Sequence, residues 1–162
     1  MTKLWLWIAV ILALTGSLVL ADDSGEEPAA TAESCLATAV PTNQLFCFTK
    51  AAQAAGDVRL CLLADQPGVA WQCVSIYAEQ AHDPSLCEVI PRENEAPRDV
   101  GRDLCRGHLA LSWKEPELCG GLATPGLGDA CLFELVQIGG DPALCARITD
   151  PDLKSLCPDD PL

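Results

Sequence analysis

The chain has 162 residues, of which 10 are basic and 23 acidic, giving a formal net charge of −13 at pH 7 and a pI near 4.3. So acidic a chain excludes nucleic acid and anionic membrane surfaces as electrostatic partners. Ten cysteines stand beside only 5% aromatic residues, which points to cross-links rather than a large aromatic core as the source of stability.

Met1 to Ala21 reads as a targeting segment. Lys3 supplies a positive flank, Leu4 to Leu14 an apolar run, and Val19-Leu20-Ala21 a small-residue cleavage site before Asp22. Cleavage is the first expectation, and an uncleaved membrane anchor is the alternative. In either case the remainder is expected outside the cytoplasm, secreted or periplasmic, where paired thiols oxidise. Removal of the segment takes away Lys3 and no acidic residue, so the net charge moves from −13 to −14. Residues 22–33, acidic and rich in small residues, are expected to form a disordered linker.

Residues 34–158 are a repeat, followed by a short tail, 159–162. The cysteines lie at 35, 47, 61, 73, 87, 105, 119, 131, 145 and 157, spaced 12, 14, 12, 14, 18, 14, 12, 14, 12: a period of 26 with one six-residue insertion. Four residues before the first cysteine of each unit stands Thr31, Asp57, Asp83, Glu115 or Asp141, and proline follows at Pro84, Pro116 and Pro142. An oxygen-bearing cap followed by proline starts a helix, because the cap accepts an orphan N–H and proline has none to leave unpaired. A first helix of about two turns is therefore predicted around the first cysteine of each unit.

The second cysteine has its own start six residues upstream, at Pro41, Pro67, Pro125 or Pro151, with Asp99 in the matching place of the third unit. Val69, Cys73, Ile76 and Tyr77 follow the spacing of one helical face. This second helix is predicted to run for about fourteen residues. It should end at Gly56, at His82, near Trp113 or at Gly139-Gly140, where glycine can adopt the left-handed cap. The fold class expected is all-α: five disulfide-stapled αα-hairpin repeats stacked as a short solenoid or curled bundle.

Spacing alone does not dictate connectivity. In-frame pairing uses all ten thiols, whereas the out-of-frame choice strands Cys35 and Cys157 at opposite ends. Antiparallel helices also bring the two cysteines of one hairpin level. The favoured bridges are Cys35–Cys47, Cys61–Cys73, Cys87–Cys105, Cys119–Cys131 and Cys145–Cys157.

The third unit departs from the others. Pro91 to Pro97 lengthens its loop, and Arg98, Arg102 and Arg106 follow at i, i+4 and i+8, flanked by Asp99 and Asp103. The first expectation for this basic stripe is an ion-pair seam onto a neighbouring unit. The second is a contact with an anion or partner protein through the guanidinium forks.

Catalytic signatures are missing. G-x-S-x-G, H-E-x-x-H, a glycine-rich phosphate loop, C-x-x-C-H and an EF-hand layout do not occur, and the smallest cysteine gap, 12, is too wide for a zinc knuckle. His82 falls at a turn position, and His108 in a slot held elsewhere by Lys50, Ile76 and Glu134. No cofactor, metal or catalytic residue is assigned. The αα-hairpin plan, with its cap, proline and cysteine in each unit, resembles the tetratricopeptide class and its disulfide-stapled relatives. The unit is shorter, however, and the Trp-Leu-Gly-Tyr pattern does not occur, so the resemblance implies plan alone.

The expected function is that of a protein-binding or structural module whose partner is another protein, with no nucleic acid and no membrane contact beyond a retained N-terminal anchor. One alternative is a carrier of a small apolar ligand, held in a cavity lined by Trp71, Tyr77, Leu109, Trp113 and Phe133. An enzyme without a recognisable motif is the other.

Overall fold

The computed structural model describes residues 31–91 and 100–157. The targeting segment, most of the acidic linker, the loop 92–99 with Arg98, and the tail 159–162 lie outside the described residues.

Ten helical segments and no strand occur among the described residues. In the first four units a short segment is followed by a longer helix. The first hairpin is α1 (Ala32–Leu36) with α2 (Pro41–Ala55), and the second is η1 (Val58–Leu63) with α3 (Pro67–Ala81). The third pairs η2 (Pro84–Val89) with α4 (Val100–Trp113), and the fourth α5 (Pro116–Cys119) with α6 (Leu127–Gln137). The fifth pairs η3 (Pro142–Arg147) with α7 (Pro151–Ser155). The molecule is thus an all-α stack of disulfide-stapled hairpins.

The short helices form at the predicted starts, but three of them, η1, η2 and η3, are 3-10 helices of six residues. The cause is local. Asp57, Asp83 and Asp141 each accept the backbone N–H two residues on, from Arg59, Ser85 and Ala143 at 2.8–2.9 Å. The opening turn is thereby tightened, with Leu60, Leu86 and Leu144 donating to the carbonyl of the capping residue three back. Each such cap contributes about 1 kcal/mol. Glu115, one methylene longer, makes no side-chain cap bond. At the first unit Thr31 and Ser34 form a reciprocal capping box, so α1 already begins at Ala32, ahead of the boundary read at Ser34.

Proline occupies the first turn of α2, α3 and α7 as expected. The fourth unit differs. Pro125 does not open its helix, because Gly126 takes φ 82° and the N–H of Leu127 bonds the carbonyl of Thr124. Pro125-Gly126 forms the centre of a tight turn that requires a left-handed residue at its third position, so α6 starts two residues late.

All four long helices end the same way, with a left-handed residue followed by an N–H that reaches five residues back. Gly56, His82, Lys114 and Gly139 have φ of 65°, 54°, 57° and 85°. The following amides, of Asp57, Asp83, Glu115 and Gly140, bond Ala52, Ala78, Ala110 and Leu135 at 2.8–3.1 Å. Gly140 itself must lack a side chain, since a Cβ there would lie 2.4 Å from the carbonyl oxygen of Leu135.

The five bridges join the cysteines in chain order, Cys35–Cys47, Cys61–Cys73, Cys87–Cys105, Cys119–Cys131 and Cys145–Cys157, with Cα separations of 5.4–6.1 Å. Each closes one hairpin. On the chain-entropy model a loop of this length contributes roughly 3 kcal/mol.

The long helices pack side by side, α2 on α3 on α4 on α6, and η1, η2 and α5 each wedge between their own long helix and the preceding one. Ala52, Ala78 and Ala110, all fully buried, recur at one position and admit the neighbouring backbone. The buried face of α3 is Val69, Cys73, Val74 and Ala78, whereas Ile76 and Tyr77 are half-buried. That face is therefore rotated from the predicted one. The rotation follows from packing on both flanks: α3 contacts neighbours on two sides, so a one-stripe pattern describes it poorly. One core cluster runs through the first three units to Leu109, and a second occupies the last two.

Candidate functional site

The inter-unit contacts decide which surface is free to act. Gln53 bonds Gln80 at 2.6 Å between units one and two, and His108 Nε2 lies 2.9 Å from Glu79 between units two and three. The rings of His82 and Trp113 stack with centroids 4.3 Å apart. Arg147 pairs with Glu117 at 2.9 Å between units four and five. His108 thus sits at a unit boundary, and His82 is a left-handed helix cap, the two roles suggested by their repeat positions.

A recurring staple is less obvious. Asp103, 2% exposed, accepts the backbone N–H groups of Ala123 at 3.1 Å and Thr124 at 2.6 Å. One period later Asp129 accepts from the N–H and hydroxyl of Thr149 and from the N–H of Asp150 at 2.7–3.1 Å. A carboxylate two residues before the second cysteine therefore clamps the connecting loop of the next unit. Sequence reasoning placed Asp103 beside the arginine stripe and missed this role. The only signal was Asp at the same phase in two consecutive units. Hydrogen bonds from the Thr149 side chain and backbone hold the Asp129 carboxyl below the usual aspartate value. In the first two units the equivalent residues are Leu45 and Trp71, and the joint there is apolar.

Two members of the arginine stripe, Arg102 and Arg106, are tied into the fold. Arg102 donates to the Glu88 carboxylate at 2.7 Å and through Nε to the carbonyl of Ile90 at 2.6 Å. Arg106 pairs with the same Glu88 and reaches the carbonyl of Gly121 in the next unit. The seam closes mainly within its own hairpin rather than onto a neighbour, because η2 runs back alongside α4 and presents Glu88 to both guanidiniums. Arg98, the third member, lies outside the described residues.

Four of the five residues proposed for a carrier cavity share one core cluster, and Phe133 lies apart from them. Leu109 is fully buried, Tyr77 and Trp113 pack on the first core cluster, and Phe133 packs on the second. Trp71 packs on the first cluster as well and also lines an open cleft.

The outer face of the stacked long helices is accessible and carries two clefts. Phe46, 67% exposed, lies in a groove of about 320 Å³ between α2 and α3 with Lys50, Gln53, Ile76 and Gln80. A second cleft, of about 260 Å³, opens between α4 and α6. Along this face one repeat position carries Phe46, Gln72, Leu104 and Ala130, and the next carries Lys50, Ile76, His108 and Glu134. A uniform scaffold therefore presents a different side chain at each rung.

Among the described residues no group of His, Cys, Asp and Glu could hold a metal ion, and no helix is long and apolar enough to cross a membrane. Comparison with protein-family models, with curated proteins and with solved structures finds no match to this chain.

Proposed function

We propose that the chain is an exported, non-catalytic module that binds another protein through the outer face of its stacked long helices. The observation that carries this reading is the contrast between constant and varied positions. Caps, cysteines and buried alanines repeat from unit to unit, while the position held by the exposed Phe46 and Gln72 and the half-buried Leu104 and Ala130 does not. Repeat stacks recognise partners in this way, with a rigid frame and side chains chosen rung by rung.

Export is supported by the pairing of all ten cysteines, since bridges in such number persist where thiols are oxidised. Rigidity suits the role, because a surface fixed in advance loses less entropy on binding. The test is photo-crosslinking in the native medium from positions 46, 72 and 104, read by mass spectrometry. A protein joined to these positions and not to a control at Asp152 is expected. Absence of any protein adduct across the face would overturn the proposal. Recovery of the chain with reduced thiols from living cells would overturn export.

A further inference from the structure

We infer that the cleft between α4 and α6 is an anchor pocket for an apolar side chain on a basic peptide segment, a partner class that deepens the protein-binding reading and rests on it. Three observations combine. The walls are apolar, formed by Trp71, Leu104, Leu111, Leu122, Leu127 and Ala130. At about 260 Å³ the cleft falls just under the ~300 Å³ where pockets for whole small ligands begin, and it matches the insertion of side chains from a larger partner.

The second observation is Gly107, which lines the cleft from within a helix. Glycine is among the least favourable helix-interior residues, and the fold does not demand it here. An added Cβ would meet only Leu122 Cδ1, at an ordinary 3.9 Å, and φ is not positive. The equivalent residues of the first two units, Thr49 and Ser75, are buried between helices, with hydroxyls donating to the carbonyls of Leu45 and Trp71 at 2.8 Å. Phe133 fills that place on the last long helix. Omission of a side chain at unit three therefore leaves space in the cleft wall without easing any contact.

The third observation is charge. Glu134 stands exposed at the mouth and makes no ion pair among the described residues, while His108, the adjacent imidazole, is held by Glu79. The buried carboxylate of Asp103 in the wall is occupied by two amides. An entering apolar group would thus be flanked by carboxylate, in a chain of net charge −13. That environment favours an anchor with lysine or arginine beside it.

The test titrates the full oxidised chain by calorimetry with a synthetic amphipathic peptide of about twelve residues, with leucines on one face and lysines on the other. Two controls replace the leucines by alanine or the lysines by glutamate. The parent peptide should bind, and each control should bind at least ~10-fold more weakly. Gly107→Leu should lower affinity at least ~10-fold with its melting temperature kept or raised, and Gly107→Ala should raise the melting temperature with a smaller loss. Glu134→Lys should weaken binding at low salt. Unchanged binding by the alanine variant, should the leucine variant misfold, overturns the pocket. So does equal binding of the alanine-substituted peptide, displacement of the peptide by a fatty acid, or a self-association that Gly107→Leu abolishes. Protein crosslinks that map only to the Phe46 groove would remove this pocket and leave the protein-binding reading standing. Absence of crosslinks anywhere removes both.

Discussion

Replacing Asp103 tests the idea that a buried carboxylate joins the third unit to the fourth. Its oxygens accept from Ala123 and Thr124, and the residue is 2% exposed. Hydrogen bonds to a charged acceptor contribute roughly 1.5–3 kcal/mol each, and a buried donor left unpaired costs roughly 1–3 kcal/mol. Ala123 is exposed, so water can restore its bond, whereas Thr124 is buried. Asp103→Ala should therefore cost about 2–4 kcal/mol. Asp103→Asn keeps one acceptor but aims an amide N–H at a second donor, and should cost about 1–2 kcal/mol. In a domain this size the alanine variant should melt roughly 8–16 °C lower. Guanidinium unfolding of the oxidised protein, followed by circular dichroism, measures the loss, and hydrogen exchange at Thr124 locates it. Were Asp103→Ala to cost under about 1 kcal/mol, or Thr124 to exchange no faster, the carboxylate would not be the joint.

Other outcomes follow from the same geometry. The lowered carboxyl value of Asp129 means the native state binds fewer protons than the unfolded chain as pH falls through the ordinary aspartate value of 3.8. Its contribution is in full above that value and disappears as pH drops through the lower folded one, so Asp129→Asn should flatten the acid limb of a melting-temperature profile. Gly140→Ala forces a Cβ to 2.4 Å from the Leu135 oxygen and should cost about 1–3 kcal/mol. Gly56→Ala, with open space but φ of 65°, should cost only about 1–2 kcal/mol by the same melts. Thr124→Val should be within about 1 kcal/mol of neutral, because the Thr124 hydroxyl is buried without a hydrogen-bond partner among the described residues. Under graded reduction with a dithiol, Cys145–Cys157 should open first, since both its residues are half-buried and α7 contributes no buried residue; alkylation and mass mapping would record the order.

The period of 26, the caps and the cysteine phases are properties of the chain alone, and they determined the helix count, the starts and the hairpin plan. These features are local: an aspartate caps the turn beside it whatever the rest of the molecule does. Locality also explains the misjudged details. Whether Asp57 tightens its turn into a 3-10 helix depends on bond lengths that a pattern does not contain. Whether Pro125 opens α6 depends on Gly126 taking a left-handed turn.

Tertiary structure decided everything that joins one unit to another. Arg102 and Arg106 form a stripe in sequence, but only the return of η2 shows that Glu88 receives both. Asp103 looked like a flanking charge until the next unit's loop came to rest on it. Leu109 and Phe133 are equally apolar in the sequence, and their separation into the first and second core clusters arises from helix packing. The physical reason is range. Caps and disulfide loops close over a few turns of chain, whereas the binding face is assembled from residues one full repeat apart, and packing angles alone set their meeting.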